Sequence, residues 1–549
     1  MKKLLSLLII FLIVFPLFAG GGQQRPAGAA ERPRLSYWEN LDRAANGHKS
    51  FETHPVFIEL QKRLGIDMEF RHPPLTNVTE SFNLMITSRD FPDIITYLWA
   101  DVPGGPANYI RDDVIIPLDA VFDKHAPIIK KVFELYPRAR RESSLDDGTH
   151  YCFPQIYTDP YLQYSYGPMF RRDLADKIPG IDGSKVAMET ETLEDWENLL
   201  LTVKNSGLKG TSGRDIIPLG LNGANQLNNQ VFIIGAFGIT SRFSQEGGKV
   251  IYGPADPRYF DYLTLMKRWY DLGIIDREFA ATNAQVMDEK MMDNRVFFTA
   301  HNMGNGITRY TGLGRATNPD FLLNTARYPV LKKGGTAPSS RATAGRTDFT
   351  GWGAAITTAC KNVEAAARFL DYSYGDDGYI LTNFGIEGVH FNWDTSIRAE
   401  TKLIFTTHSG YPKYTDFIMK NPTYTPDVAM SVYVIVNNMT FGYKGPEFLD
   451  QRDGLPEQIG QMGRRLWTLS DDSMGLPPVT PTIEESAEFG KLMTDINTYT
   501  DEMTIKFITG TEPLTQARFN DYVQTQKRMN LDRVIALRQA ALDRYNKRP

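Results

Sequence analysis

The stretch NFGIEGVHFNW, Asn383 to Trp393, holds a carboxylate, a histidine, a tryptophan and two glycines within eleven residues. Two chemistries fit it. Glu387 and His390 beside Trp393 could work as acid and base on a glycosidic bond. The same residues could instead form a rim that grips a sugar and leaves it unchanged. Hydrolysis needs only a pair of carboxylates about 5–10 Å apart. Gripping needs aromatic faces for the sugar rings, and carboxylates or amides for the hydroxyls. Glu387 lies between Gly385 and Gly388, which puts its carboxylate on a loop. The motif therefore reads as a cleft rim, with Glu387 accepting from hydroxyls, Trp393 stacking and His390 structural.

Other catalytic constellations are missing from the sequence. There is no HExxH zinc helix, and the 8 histidines are scattered without Cys/His ligand spacing. No GxSxG elbow or P-loop occurs, and MGNG at Met303 to Gly306 lacks the Lys and Ser/Thr of a phosphate cradle. The expectation is a binding protein with no enzymatic activity. A surface or adhesion protein would carry repeats or a stalk, and the sequence has neither. The further candidates for ligand contact lie in or beside predicted strands. Trp99 ends DIITYLW, Tyr164 and Tyr166 follow YTDPYLQ, Asn302 and Asn305 follow VFFTAH, and Trp352 opens GWGAAITTA. Each has a plain structural alternative: core packing for the rings, turn chemistry for the asparagines. Trp196, Trp269 and Trp467 fall at helical spacing and read as core. Arg309, Arg341 and Arg346 would either meet a uronate or stay solvated.

These residues must be carried by alternating strands and helices. RLSYWEN and IDMEFRH read as strands, the second with Ile66, Met68 and Phe70 alternating, and HPVFIELQKRLG between them as a helix stopped at Gly65. Strand, helix, strand opens an α/β lobe. DIITYLW predicts a buried strand, and VIIPLDAVFDKHAPIIKKVFELYP helices broken at Pro127. The segment from Tyr151 to Tyr166 predicts a strand whose tyrosines line a cleft. TLEDWENLLLTVKNSG predicts a helix with Thr192 as N-cap and Asp195 as its partner. ADPRYFDYLTLMKRWYDLG predicts another, from Asp256 and Pro257 to Gly273, and NVEAAARFLDYSYG a third, capped by Asn362. RVFFTAHNMGNG and GWGAAITTA are further strands, and the C-terminal third is mostly helical.

At 549 residues the chain exceeds one ordinary core, so two or more lobes are expected. Residues 1–19 have the form of a secretory signal peptide: Lys2 and Lys3, an apolar run from Leu4 to Phe15, then Leu17-Phe18-Ala19. Cleavage is expected after Ala19, followed by a flexible leader over 20–34. No cysteine stands there to take a lipid anchor, so a secreted, unanchored periplasmic or extracellular protein is expected. Removing Lys2 and Lys3 takes the formal charge from −5 to −7, which argues against nucleic acid as a partner. The two cysteines, Cys152 and Cys360, would form one disulfide or remain buried thiols.

Several blocks together resemble one family. RDFPDII, IIPLDAVFDKHAP, GAFGI, GKVIYGPADPRYFDYLTLMKRWYDLGIID, EAAARFLDYSYGDDGYILTNFGIEGVHFNW, INTYTDEMTIKFITG and MNLDRVIALRQAALDRY are similar, in this order, to blocks of extracellular solute-binding proteins of ABC importers. The likeness is to the oligosaccharide-binding type, with its lipoprotein-like and alginate-binding-protein-like branches. It implies an α/β fold of two lobes joined by hinge strands, with a largely helical C-terminal part. Lobe 1 is expected over 35–155 plus 345–415, and lobe 2 over 156–344 plus 416–549. The implied function is capture of an oligosaccharide or related sugar between the lobes and delivery to the permease subunits in the inner membrane. A glycosidase, or a binder of peptide or another small solute, is the alternative. Many members hold calcium in an acidic loop before an IPL strand. Here that loop is KNSGLKGTSGRDIIPLG, where Lys204, Lys209 and Arg214 stand beside Asn205 and the single carboxylate Asp215. Calcium wants several carboxylate oxygens, so this site is expected to be lost and no cofactor is expected.

Overall fold

The computed structural model describes residues 32–164, 166–223, 232–303, 306–307, 309–336, 347–396, 400–434, 441–445, 451, 463, 465–471, 473–479 and 482–548. The expected signal peptide and most of the leader lie outside them. Among the described residues no helix is long and apolar enough to cross a membrane.

Two sheets organise the chain. Strands β1 (Arg34–Trp38), β2 (Asp67–Arg71) and β3 (Ile94–Tyr97) run parallel, with β1 in the middle. Strand β4 (Phe153–Ile156) joins them through a later strand that lies between β3 and β4. The second sheet takes β5 (Tyr166–Arg171) and β6 (Ile217–Leu219). After a separate hairpin, β7 (Phe243–Glu246) and β8 (Lys249–Tyr252), it adds β9 (Val296–Asn302) and β10 (Leu323–Thr325), in the order β10-β5-β9-β6. Strand β11 (Phe349–Ile356) then returns to the first sheet, antiparallel to both β3 and β4. The chain therefore passes from the first sheet to the second between β4 and β5, and back before β11. Each sheet has its own core, as the two-lobed expectation requires.

Local signals in the sequence explain many of the elements. The helix Pro55–Leu64 ends on Gly65 at φ +65°, a backbone conformation glycine adopts without steric cost. In the helix Leu193–Asn205, Thr192 Oγ1 accepts from the Asp195 N–H at 3.0 Å and Asp195 accepts from the Thr192 N–H at 2.8 Å. This reciprocal cap is the one expected. Asn362 caps Val363–Asp371 through the Ala365 N–H.

Three expectations change. The tyrosine-rich segment is two strands, β4 and β5, with a short helix Pro160–Gln163 between them, because Pro160 suits a first helical turn. The leader is shorter than expected, since Arg34 already pairs with Asp67. The boundary at 415 also moves. Ile418, Ala429, Met430, Val434 and Phe441 belong to the first lobe's core, and the short strand Gly442–Tyr443 adds to β4 at the edge of its sheet. Lobe 1 thus continues to about residue 445. The helix Pro426–Tyr433 buries Ala429 and Met430 in that core. Cys152 and Cys360 are separate buried free thiols, in different cores. Burial pushes both thiols up, Cys360 to about 12.

Candidate functional site

Ligands of open α/β sheets sit past the carboxyl ends of the parallel strands. In lobe 1 those ends are Trp38, Arg71 and Tyr97, and antiparallel β11 begins there. A cavity of about 370 Å³ opens at this place, lined by Trp38, Glu39, Asn40, Asp42, Thr96, Tyr97, Gln155, Tyr157 and Trp352, with Val78 beside them. Its volume lies within the range of small-molecule sites.

The aromatic wall comes from three strands. Trp352 is half-buried and meets Tyr97 edge to face, with ring centroids 6.3 Å apart. Tyr97 stacks on Phe82 at 3.8 Å, and Trp38 tilts against both rings at 6.2 Å. Such packing fixes the rings, so little side-chain entropy would be lost on contact with a flat ligand face. The strand geometry aims Trp352. Between Phe349 and Gly353 the register of β11 against β4 shifts, and Gly351 takes φ +92°. A bulge of this kind re-aims the side chains next to it.

The floor is polar. Gln155 accepts from Thr350 Oγ1 at 2.9 Å, and the Tyr37 and Thr96 hydroxyls share a 2.6 Å hydrogen bond. Glu39 lines the cavity at 2% exposure. Burial pulls the Lys444 ammonium down to about 7, and the Glu39 carboxylate near it acts the other way. Carboxylates and amides, Glu39, Asn40, Asp42 and Gln155, thus gather at one strand end.

The residues expected from sequence fall into several places. Trp352 lines the cavity. Trp99 does not, and the structure corrects that expectation. Its ring is fully buried against Phe82 and Tyr109, and its Nε1–H donates to the Ile95 carbonyl at 3.2 Å. The turn after β3 folds the ring into the core instead of out of it. Tyr164 and Tyr166 lie in the lobe 2 core at 8% and 6% exposure. The Tyr166 hydroxyl donates to the Ala300 carbonyl at 2.9 Å, so it is committed to the sheet. Asn302 pairs opposite Tyr166 at the end of β9, where its side chain is half-buried. Asn305 lies outside the described residues, as do Arg341 and Arg346. Arg309 is engaged by Asp288 at 2.6 and 2.9 Å.

The Asn383–Trp393 stretch is a local turn of lobe 1. Gly385 closes the helix Asp376–Phe384 at φ +84°, where a Cβ would meet the His390 ring at 2.5 Å. His390 is buried, its Nδ1 accepts from the Ile386 N–H at 3.0 Å, and burial holds it down at about 4. A neutral, hydrogen-bonded ring of this kind is structural. Trp393 stacks on His408 with centroids 3.5 Å apart. Glu387 is exposed, and neither it nor Trp393 lines the cavity. Trp196, Trp269 and Trp467 are fully buried, as their spacing indicated.

Sequence reasoning missed Trp38, Glu39, Asn40, Asp42, Tyr97, Gln155 and Tyr157. The signal was present in RLSYWEN, because the residues directly after the first parallel strand stand where the fold places a ligand.

In the loop matching the family's calcium site, the carboxylates meet cations and hydroxyls. Asp215 pairs with Lys209, and Asp293 accepts from Ser212 Oγ at 2.6 Å and Arg214 Nη2 at 3.3 Å. Among the described residues no group of three or more His, Cys, Asp or Glu stands together.

Two sheets with separate cores, joined by crossing strands around a cavity at the strand ends, are the architecture of the two-lobed solute-binding proteins. By fold and by sequence the chain is similar to substrate-binding proteins of ABC sugar transporters. Among curated proteins it is 26% identical over 348 residues to the fructooligosaccharide ABC transporter substrate-binding protein FusA of Streptococcus pneumoniae, a match covering 61% of this chain and 60% of that protein. It is 23% identical over 400 residues to lipoprotein LipO of Bacillus subtilis, covering 68% of this chain and 72% of LipO. The crystal structure of the alginate-binding protein AlgQ2 without calcium ion superposes with a TM-score of 0.66 at 20% identity, over 93% of this chain and 98% of that one. No protein-family model matches the chain.

Proposed function

We propose that this protein is the solute-binding component of an ABC importer, capturing an oligosaccharide or related sugar between its lobes and passing it to the membrane permease. The observation that carries this reading is the lobe 1 cavity, where Trp38, Tyr97 and Trp352 form an aromatic wall above Glu39, Asn40, Asp42 and Gln155. The fold and the sugar-transporter relatives support it. Hinge closure of lobe 2 over the cavity would bury the ligand. The site binds without turnover, and its only expected partners are the sugar and the permease. The product is exported and unanchored after loss of residues 1–19. It carries no calcium, because the loop carboxylates Asp215 and Asp293 are already held by Lys209 and Arg214.

A thermal-shift screen against neutral and acidic oligosaccharides tests the reading. A ligand at a thousandfold excess over Kd stabilises by about 4 kcal/mol. Calorimetric titration of the best ligand should then give one site, with no shorter sugars after long incubation. Release of shorter sugars would overturn the transport reading, and so would a panel in which no oligosaccharide shifts the melting curve.

A further inference from the structure

The two crossings between the lobes meet where they join lobe 1. The outbound one leaves β4, forms the helix Pro160–Gln163 and enters β5. The return one passes Thr347 and Asp348 and becomes β11 at Phe349. The Tyr157 N–H donates to the Asp348 carbonyl at 2.7 Å. Gln163 joins the crossings again. Its Nε2 donates to the carbonyls of Tyr157 at 2.7 Å and Thr347 at 2.9 Å, and to Asp348 Oδ1 at 3.0 Å.

A lobe 1 carboxylate holds this pair. Glu142 ends the helix Pro137–Glu142, and its side chain is fully buried. Its Oε2 accepts from the Asp348 N–H at 2.6 Å and the Phe349 N–H at 3.0 Å, and its Oε1 from Arg138 Nε at 2.8 Å. The titratable groups around it come from three elements. Arg138 stands on its own helix, Asp348 on the return crossing and Tyr545 on the helix Leu531–Tyr545, with Arg141 and Arg548 beside that tyrosine. Burial raises Tyr545 to about 12, so it stays neutral. Burial also raises Glu142 to about 7, and the Asp348 carboxylate acts the same way, against Arg138 and the Phe349 N–H. A carboxylate accepts at both oxygens, whereas the acid must turn an O–H towards one set of its donors. Protonated Glu142 therefore gives up either Arg138 or the N–H groups of the crossing, and its remaining bonds lose their charge assistance.

We propose that Glu142 is a proton-operated latch on the return crossing: its carboxylate fixes Asp348 and Phe349, and protonation frees the crossing to bend, so that lobe closure and ligand affinity change with pH. The inference rests on the solute-binding reading and adds a control to it. The residues lining the lobe 1 cavity all belong to lobe 1, so the latch is set here with lobe 2 standing back from it. Releasing it lowers the cost of closing, and affinity follows the fraction of molecules able to close. Protonation thus tightens binding, and by reciprocity binding takes up protons.

The first test needs no ligand. In amide exchange of the full mature protein, corrected for the intrinsic effect of pH, a peptide containing Asp348 and Phe349 should be about fivefold less protected at pH 6 than at pH 8. Glu142→Gln should be poorly protected at both. The second test is calorimetry with the tightest oligosaccharide of the thermal-shift screen. Its affinity should be about fivefold higher at pH 6 than at pH 8. Titrations in buffers of different ionisation heat should show proton uptake, and Glu142→Gln should bind equally tightly at both pH values. Melting curves check folding. If Glu142→Gln does not fold, Asp348→Asn replaces it and should move the midpoint of the pH effect downwards. Protection and affinity that are level from pH 8 to pH 6 overturn the latch, and so does weaker binding at pH 6. A pH effect on affinity that is unchanged in the variant overturns it too and passes to Lys444, which burial lowers to about 7 beside Glu39. Absence of binding to every oligosaccharide at every pH removes the oligosaccharide reading. The amide exchange then decides the latch by itself, and equal protection in wild type and variant overturns it.

Discussion

Two clusters in lobe 1 contain the same kinds of side chain and differ in what they do. Asn383–Trp393 gathers a carboxylate, a histidine and a tryptophan within eleven consecutive residues. The wall of Trp38, Tyr97 and Trp352, with Glu39 and Gln155, draws its members from four strands or strand ends spread over more than 300 residues. The contiguous cluster closes a helix and spends its histidine on a backbone N–H and its tryptophan on His408. The dispersed one lines a cavity, with Tyr97 and Trp352 half-buried at its wall. Proximity in sequence produces a turn, whereas a site for a ligand needs a place the backbone itself does not fill. Strand ends provide such places because their loops diverge.

Four substitutions or conditions press on that contrast. The largest effect belongs to Trp99, which ends the same strand segment as Tyr97 but points into the core. Trp99→Ala should cost about 3–5 kcal/mol in denaturant unfolding, as for other buried aromatics, with ligand affinity changed little in the fraction that folds. A small stability loss with a large affinity loss would return Trp99 to the cleft.

Acid should come next. Burial lowers His390 to about 4 and His54 to about 3, from an ordinary 6.5. Both are neutral in the folded protein at pH 7. Below about pH 6.5 the unfolded chain takes up these protons and the folded one does not until near pH 4 and pH 3. The unfolded state then binds more protons, so stability falls as the pH drops through that window. Each pH unit of such imbalance is worth about 1.4 kcal/mol per histidine. His390→Gln, whose side-chain oxygen can still accept from Ile386, should flatten the fall in melting temperature between pH 6.5 and 4.5. An unchanged slope would show that His390 titrates alike in both states.

Trp352→Ala should weaken oligosaccharide binding by about 1–2 kcal/mol, roughly tenfold, through lost stacking. Its melting temperature should stay close to wild type, since the ring is half-exposed. Calorimetry and a melting curve on the same preparation decide it. The smallest effect is assigned to Glu387→Gln, expected within about 0.5 kcal/mol in both affinity and stability, as for other exposed positions. A tenfold loss of binding would move the cleft to the motif and reverse the comparison.

Much of the fold was legible in the sequence, for reasons local to particular residues. Thr192 with Asp195, Gly65 and Asn362 are caps whose chemistry works within four residues, and the alternation of Met68 and Phe70 shows which face of β2 is buried. What sequence could not show depended on contacts across the chain. Whether Trp99 turns in or out depends on Phe82 and Tyr109. Tyr166 looked like a cleft residue until Ala300 supplied an acceptor for its hydroxyl. The lobe boundary was misplaced because the helix Pro426–Tyr433 carries the same apolar stripe whichever lobe receives it. The candidate site was only partly legible, through Trp352, because its other members sit at ends of strands whose adjacency comes from sheet order.

The order of those strands also governs how the molecule must come together. The first lobe's sheet begins at Arg34 and is completed only by Gly442–Tyr443. Asp146 of that lobe accepts from Arg544 and Arg548, 398 and 402 positions later in the chain. A nascent chain that has delivered its first lobe strands still lacks the edge strand and the clamp that tie them down. The lobe made first is thus finished late, and the second lobe's core waits as long, because it takes in Met503, Phe507, Phe519 and Tyr522. Contacts this distant make for slow closure. During that wait the unpaired edge of β4 is open to other chains, so a truncation before residue 442 should be far more prone to aggregation than one that removes an equal length of surface loop.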